Sequence, residues 1–444
     1  MKKPENFSQR RVFFRILVTL GLLALFVLGI SSCDFPVIRD FLPDTNSTQI
    51  PPADAPTRTP TPTPTPDIPL VEAQQLILWV PPEFDPGVTT TAGNLLASRL
   101  NEFLTRRPET ELQIRVKSLS GEYGLLESLQ LIDSAAPLLR PNLVALPRPL
   151  LEEAFQKGQV IGLDEYLDPG EKSDWYPYAL DLARVDGQTA GIPFAGDLLV
   201  LASVNVAETT PPTTWNSFLS LQRPVAFPAS DPKALVTLAW YQSLGGELRD
   251  EDGKPTLDGD LMLQVLNFYE QAQDANLMPY WLTQFETMDQ AWDAYLDRQS
   301  TLSITWTSRL LTSESPNTIL AAIPTKDDKA FTYADGWVWC VVPSDPETEQ
   351  FALELAKFLT ESDFLSIWGV EGGYIPVRPT SLESWSEVSY YAILEKLLPA
   401  AVVVPEGELD SVLGPPIRDA VVEVLKDQVE PEDALETLLE EIKD

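Results

Sequence analysis

The chain has 444 residues, of which 44% are hydrophobic, and its 66 acidic side chains outnumber 31 lysines and arginines, giving a formal net charge of −35. It contains no histidine and only two cysteines, which excludes Ser-His-Asp and Cys-His catalysis, histidine-ligated metals and histidine pH switches. Because so negative a chain repels phosphate backbones and anionic lipid headgroups, we expect no nucleic-acid partner.

The N-terminus combines basic residues with a short apolar run. The basic residues are Lys2, Lys3, Arg10, Arg11 and Arg15, and the apolar run covers residues 16–30. That run is shorter than the roughly 20 residues that a membrane-spanning helix needs. A charged beginning, an apolar middle and small residues at the end are typical of a secretory signal, which we predict over residues 1–32. An uncleaved N-terminal anchor helix is the alternative.

The segment "ISSC", residues 30–33, resembles the lipobox of bacterial lipoproteins, in which an aliphatic residue and two small residues precede a lipidated cysteine. The resemblance implies cleavage before Cys33 and acylation, for instance by palmitate, of its sulfur and its new amino group. Since two or more acyl chains anchor a protein stably, we expect the chain on the outer face of the bacterial cytoplasmic membrane. Cys340 would then lack a disulfide partner within the chain. The surrounding "GWVWCVV" predicts a buried strand with an inert thiol.

Residues 33–72 contain the predicted lipidated cysteine and a stretch rich in proline and threonine, with "PTRTPTPTPTPDIP" at its centre. Repeated Thr-Pro favours extended polyproline II, at about 3.1 Å per residue. Such a composition cannot bury a core. We therefore predict a semi-rigid stalk between the membrane and the globular part of the chain.

From residue 73 onward, strand and helix patterns alternate. The strand patterns are "QLILWV", "ELQIRVKSL" and "PNLVALP", and the helix patterns are "AGNLLASRLNEFLTRR", "EYGLLESLQLIDSA" and "PLLEEAFQKGQV". This alternation predicts an α/β fold with a largely parallel sheet and helices on its faces. Such folds bind ligands at the carboxyl ends of strands, where Trp79 and Leu146 fall.

Six segments between residues 76 and 444 occur in the order and spacing of a known family. They are "LILWV", "PNLVALPRPLLEEAFQKGQVIGLDEYL", "DGQTAGIPFAGDLLVLASVN", "TTWNSFLSL", "AWDAYLDRQSTLSITW" and "GGYIPVRPTSL". Together they resemble the family 1 extracellular solute-binding proteins of ABC importers, the maltose-binding-protein-like group. The resemblance implies a two-lobed periplasmic-binding-protein fold of type II-like topology, with a helix-rich C-terminus.

The resemblance also implies a domain organisation and a function. The first lobe would comprise residues 73–194 and 341–384, and the second residues 195–340 and 385–444. Hinge crossings are expected near Ala195, Trp339 and Glu383. Closure of the lobes would capture a small ligand, a carbohydrate by analogy, for delivery to ABC permease subunits. We expect a monomer that is not an enzyme and has no cofactor and no metal.

Several positions depart from the family pattern. Asn142 replaces the usual aspartate, and Arg298 and Gln299 stand where a glycine is usual. Leu146 and Gly414 occupy positions where maltose-binding proteins carry stacking aromatics. The scaffold therefore carries over better than the maltose site.

Sugar sites combine aromatic faces with carboxylates or amides, because sugars present flat C–H faces ringed by hydroxyls. The candidate ligand contacts are Trp79, Glu83, Asp197, Asp231, Trp306, Trp337 and Tyr374. Asp197 is flanked by apolar residues and needs a partner wherever it is buried. The alternative for the aromatic residues is core packing. For Glu83 the alternative is a surface position, and for Asp231 a helix N-cap.

Three other functions remain open from the sequence. A surface glycoside hydrolase needs only two carboxylates, although no catalytic motif marks a pair. A solute-binding fold can also present a ligand to a sensory partner. Within the binding class, the negative charge leaves open a cationic ligand such as a polyamine.

Overall fold

The computed structural model describes residues 74–443, except 122, 136–138, 169, 205–209 and 313–317. The predicted signal, Cys33 and the stalk lie outside the described residues. Within the described part of the chain, none of the helices has the length and apolar character needed to cross a membrane.

The strands, in chain order, are β1 (Gln74–Val80), β2 (Thr110–Val116), β3 (Leu143–Pro147), β4 (Arg184–Val185), β5 (Gln188–Thr189), β6 (Ile192–Val204), β7 (Val225–Ala226), β8 (Leu302–Trp306), β9 (Thr318–Ala321), β10 (Thr332–Val341) and β11 (Ala401–Val403). The helices are α1 (Thr91–Arg106), α2 (Leu125–Ala135), α3 (Arg148–Gln156), α4 (Pro177–Leu182), α5 (Trp215–Leu219), α6 (Leu235–Ser243), α7 (Gly259–Asp274), α8 (Met288–Leu296), α9 (Thr307–Thr312), α10 (Pro346–Leu359), α11 (Ser362–Gly372), α12 (Pro379–Glu383), α13 (Tyr391–Leu397), α14 (Glu408–Leu425) and α15 (Pro431–Glu441).

The alternation predicted at the start of the globular part is confirmed by β1, α1, β2, α2, β3 and α3. Helix α1 shows why the sequence folds this way. Its Leu96, Leu100 and Phe103 recur at helical spacing and are buried. The Thr90 side chain accepts the Gly93 N–H and caps the first turn.

The main sheet is mixed, with the order β2-β1-β3-β10-β6-β8-β7. Strand β1 pairs in parallel with β2 and β3, as the βα alternation requires. Strand β10 is antiparallel to both β3 and β6. The prediction of parallel strands is therefore confirmed for β1 to β3, whereas β10 runs antiparallel to its neighbours in the middle of the sheet. The Cys340 thiol lies on β10 and is completely buried, which raises its pKa well above the usual range.

Two large hydrophobic cores lie along this sheet. The first contains Phe103, Trp339 and Trp385. The second contains Trp240 and Tyr269. A smaller third core, on β1, β3 and β10, contains Trp79, Leu146 and Cys340. The first and third cores belong to one lobe and the second core to the other.

Strands β6 and β10 connect the two lobes. Along β6, Leu198 and Val200 pack in the first core and Leu199 and Leu201 in the second, whereas along β10 the change falls between Tyr333 and Ala334. Val403, at the end of β11, packs against both cores. The chain therefore passes between the cores at three places.

These crossings correct the positions expected from the sequence. On β6 the change spans residues 198–201 and follows the expected Ala195, on β10 the change at 333–334 precedes Trp339, and residue 403 follows Glu383. The physical reason for the last shift is that Trp385, Leu394 and Leu397 pack in the first core. The segment 385–401 therefore lies with the first lobe and not with the second.

Candidate functional site

Two carboxylates face each other on the strands that join the lobes. Asp197 of β6 and Asp335 of β10 are directly opposite in the strand register, so their side chains leave the same face of the sheet. Asp335 accepts the N–H of Gly336 at 2.7 Å. Burial, together with the nearby charge of Asp197, raises the pKa of Asp335 to about 6, against the Gly336 hydrogen bond and Lys233, which lower it.

Asp197 holds the start of helix α9. Its Oδ1 accepts the Thr307 hydroxyl at 2.6 Å and the Ser308 N–H at 2.9 Å, and its Oδ2 accepts the Ser308 hydroxyl at 2.5 Å. Burial raises the pKa of Asp197, while the hydrogen bonds from Ser308 and Thr307 lower it. The partner that a carboxylate needs in this apolar segment is therefore the N-terminus of α9, directly after Trp306.

An aromatic cluster lies on the first-lobe side. The Phe84 ring centroid is 4.8 Å from that of Trp337 and 5.4 Å from that of Tyr374. Tyr374 also stacks on Trp368 at 5.6 Å. Trp337 and Tyr374 are half-buried, so each keeps an open edge.

Tyr374 is held beside the hinge carboxylates by backbone pairing. Ile375 and Gly196 exchange two hydrogen bonds, of 3.1 and 2.9 Å. This bridge puts Tyr374 next to the strand that carries Asp197. Burial raises the pKa of Tyr374 far above its ordinary value, and the charges of Asp197 and Glu83 raise it further.

Further charges meet the hinge from the second lobe. The Lys233 Nζ lies 2.8 Å from Asp410. Asp231 accepts the N–H groups of Lys233 and Leu235 at 3.0 and 3.1 Å, at the beginning of α6. Gly414 of α14 lies so close to the loop before α6 that a Cβ would collide with the Pro232 carbonyl oxygen. This close approach explains why no aromatic side chain stands at position 414.

Glu406 lines a cavity of about 570 Å³ and interacts electrostatically with Asp335, one of the two hinge carboxylates. Burial raises the pKa of Glu406 to about 8, helped by the charge of Asp335 and opposed by Lys233 and Arg148. Among the residues that the structure describes, none provides a hydrogen-bond partner for Glu406 Oε2. Nowhere in the described part of the chain do three His, Cys, Asp or Glu side chains stand together as metal ligands.

The family model for bacterial extracellular solute-binding proteins matches residues 114–392, more than half of the chain. The chain belongs to this family. By sequence, no curated protein matches it.

Solved structures of several sugar-binding proteins share the fold of this solute-binding protein. Maltose-bound MalE3 of T. maritima aligns with a TM-score of 0.62 and 18% identity, over 84% of this chain and 99% of that one. The cyclic α-maltosyl-1,6-maltose binding protein of Arthrobacter globiformis gives 0.67 and 13%, over 83% and 97%. An ABC transporter solute-binding protein from Agrobacterium radiobacter K84, in complex with ribitol, gives 0.56 and 18%, over 84% and 99%. The predicted two-lobed α/β fold is therefore confirmed.

In this solute-binding protein, the residues proposed from the sequence fall into different environments. Glu83, Asp197, Trp337 and Tyr374 lie together at the hinge. Trp306 is half-buried against the second core at the end of β8. Asp231 lies at the start of α6, where its carboxylate accepts backbone N–H groups as an N-capping side chain would.

Trp79 lies elsewhere, and its placement corrects the expectation of a ligand contact. It is completely buried in the third core. The Lys117 Nζ lies 4.9 Å from the centroid of its ring. The structure therefore assigns Trp79 to the core of the first lobe and not to the cleft, because helix α2 covers that face of the sheet.

Sequence reasoning missed Asp335, Glu406, Lys233 and Phe84. Asp335 stands within the apolar strand "TYADGWVWCV" and could have been found by the argument used for Asp197. Glu406 follows the short apolar run "AVVVP", but its charged neighbours Asp335, Lys233 and Arg148 come from distant parts of the chain. No local pattern predicts that arrangement.

Proposed function

We propose that this solute-binding protein captures a small polyhydroxylated ligand, a carbohydrate, in the cleft between its lobes and delivers it to an ABC permease by lobe closure. The observation that carries the proposal is the convergence of Trp337 and Asp197, on the strands that join the two cores, with Tyr374, which the Ile375–Gly196 bridge holds beside them. An aromatic face packs against the C–H face of a sugar, while a carboxylate accepts its hydroxyl protons. Movement about the connecting strands would enclose the ligand.

The ligands named for the structural relatives support this ligand class. Those proteins were solved with maltose, maltotriose, tagatose and ribitol, each of which carries several hydroxyl groups. Identity to them is 17–18%, so these proteins support the ligand class through the shared fold, and the hinge residues of this chain support it independently.

The proposal includes a membrane anchor. Acylated Cys33 and the Thr-Pro stalk would hold the monomeric globular part near the permease, on the outer face of the cytoplasmic membrane. A tether of this kind raises the effective concentration of the binding protein at its partner.

A thermal-shift screen of the full chain against mono-, di- and trisaccharides and polyols tests the ligand class. A ligand that binds only the folded protein, at 100 times its dissociation constant, should raise the free energy of unfolding by about 2.7 kcal/mol. A screen in which no saccharide or polyol raises the melting temperature would contradict the proposal. Turnover of chromogenic glycosides would instead support a hydrolase.

A further inference from the structure

The cavity next to Glu406 is built from both lobes. Arg148 of α3 and Asp181 of α4 line it from the first lobe, and Gln242 and Arg249 from the second. Residues 402–406, where the chain crosses for the third time, complete its wall. A ligand in this space would therefore touch the two parts of the protein that move relative to each other.

Carboxylates outnumber cations around this cavity. The acidic lining residues are Glu152, Asp181, Glu247 and Glu406, and the basic lining residues are Arg148 and Arg249. Neutral sugars need no such excess. An excess of negative charge in a concave site concentrates the field there and attracts cations.

The two arginines are already engaged. Arg148 donates to the backbone carbonyls of Leu182, at 3.2 Å, and of Arg184. Its contact with Glu152 is longer, at 3.9 Å. The guanidinium of Arg148 is therefore held by the end of α4 and does not reach into a hydrogen bond with Glu406.

Arg249, which also lines the cavity, is likewise paired with other acceptors. It donates to the Gly253 carbonyl and, at 3.1 Å, to the exposed carboxylate of Glu408. The nearest ammonium, that of Lys233, is paired with Asp410 at 2.8 Å. Glu406 Oε2 thus stays buried without a donor from any residue that the structure describes.

We infer that this cavity receives a protonated amine, so that the carbohydrate ligand proposed above is an amino sugar. The inference rests on the proposed function, because it assumes that the ligand is captured between the lobes. An ammonium group offers three donors and a full positive charge, and in this cavity it would pair with the carboxylate of Glu406, which lines the wall. A buried carboxylate left without such a partner is unfavourable.

Amine binding at this site should also change the protonation of Glu406 and Asp335. The pKa of Glu406 is raised to about 8 and that of Asp335 to about 6, mainly by burial. An ammonium placed beside them would favour their charged forms and lower both pKa values. Amine binding near neutral pH should therefore release protons from the protein, and amine affinity should rise with pH between about 6 and 8 as long as the amine stays protonated.

Isothermal titration calorimetry of the full chain at pH 7 tests the inference with matched probes. Glucosamine and glucose differ by an ammonium in place of a hydroxyl, and spermidine and maltotriose extend the comparison. We expect glucosamine to bind at least tenfold more tightly than either neutral sugar. Titrations in two buffers of different ionisation enthalpy should show proton release with the amine.

The matched variants are Glu406→Gln and Glu436→Gln. Both replace a carboxyl group by an amide, but Glu436 is exposed on α15 and does not line the cavity. Glu406→Gln should weaken amine binding at least tenfold and reduce proton release, while Glu436→Gln should change neither. Proton release by the unaltered protein provides a readout even if Glu406→Gln does not fold.

Each outcome bears on the inference. If a neutral sugar binds as tightly as the amines and no proton is released, the inference is overturned while the proposed function stands. Amine binding that is insensitive to Glu406→Gln also overturns it. If neither class of probe binds, the inference falls together with the proposed ligand class.

Discussion

Gly373 lies directly against Thr312, so that a Cβ added to Gly373 would collide with the Thr312 methyl group. Gly373 follows α11, whose Leu365 and Trp368 pack in the first core. Thr312 ends α9, which continues from a strand of the second core. The two lobes therefore touch at this point, on the helix that Asp197 caps.

Gly373→Ala should push the lobes apart at this contact and weaken ligand binding several-fold. Gly373 has a φ of 74°, so alanine there also adds backbone strain of roughly 1–2 kcal/mol. Gly158→Ala is the control, because its φ is 67° and no described atom lies within 4 Å of the added Cβ. Small-angle scattering should show a larger radius of gyration for Gly373→Ala than for Gly158→Ala. Equal radii and equal affinities would mean that the contact does not restrain the lobes.

Asp197→Ala should destabilise the protein by about 1–2 kcal/mol, the usual effect of losing a helix N-cap. The reason is that the Ser308 N–H and the hydroxyls of Thr307 and Ser308 would lose their acceptor. Urea unfolding of the unliganded protein measures this change. Asp293→Ala, an exposed site on α8, should have little effect. A stability equal to that of the control would show that Asp197 does not hold α9.

The unliganded protein should lose stability as the pH rises from about 5 to 8. The folded-state pKa values of Asp335 and Glu406, about 6 and 8, lie above their ordinary values of 3.8 and 4.5. Between the ordinary and the raised value, the folded state binds more protons than the unfolded state, so stability is full at low pH and falls as the pH increases. Each group contributes at most about 1.4 kcal/mol per pH unit.

Melting temperatures at several pH values measure this dependence. Since the chain has no histidine, no imidazole titrates in the same range. Glu406→Gln should flatten the decrease between pH 6 and 8. A melting temperature that rises steadily over this range would contradict the assignment of the raised pKa values.

Truncation of Trp337 should mainly affect ligand binding, whereas truncation of Trp79 should mainly affect stability. Trp337→Ala should weaken ligand binding at least tenfold, because a lost aromatic contact at a binding hot spot typically costs 2 kcal/mol or more. Its melting temperature should fall only modestly, since the ring is half-buried. Trp79→Ala should cost about 3–5 kcal/mol of folding free energy, because its ring is completely buried. Thermal unfolding with and without ligand separates the two effects. A Trp337→Ala protein that binds normally would remove this residue from the site.

Cys33→Ser should abolish metabolic labelling with palmitate and leave an uncleaved precursor. Cys340→Ser is the matched control and should be labelled normally, because the Cys340 thiol is buried within the sheet. Gel migration of the two variants measures precursor cleavage, and fluorography measures palmitate incorporation. Labelling that persists in Cys33→Ser would exclude the lipid anchor.

The sequence predicted those parts of the fold that depend on local pattern. Periodic apolar residues, such as Leu96, Leu100 and Phe103, predict α1 from the sequence alone, and they form its buried face. The carboxylate of Asp197 was recognised because a charge inside an apolar strand needs a partner. The identity of that partner depended on how β6 and β8 pair, which the sequence does not state.

The remaining features arise from tertiary contacts. Trp79 ends a strand in the manner of a site residue, but α2 and β10 bury it. Glu406 has the sequence context of an ordinary surface residue, but the fold brings it beside Asp335 and Arg148, which are distant along the chain. The third crossing is expected near Glu383 because the apolar residues of α13 fit either core by pattern alone, and in the fold Leu394 and Leu397 pack in the first core.

The three crossings also determine when the protein can fold. The first core contains Leu76 and Leu398, and the second contains Leu199 and Leu438, so each core unites residues that are distant along the chain. During synthesis, the first core cannot close until the chain has been made as far as Ala401, and the second core until Leu438 has been added. Contacts of such large sequence separation form slowly. The nascent chain should therefore stay unfolded long enough to be threaded through a narrow translocation channel, and it should acquire its structure only on the far side.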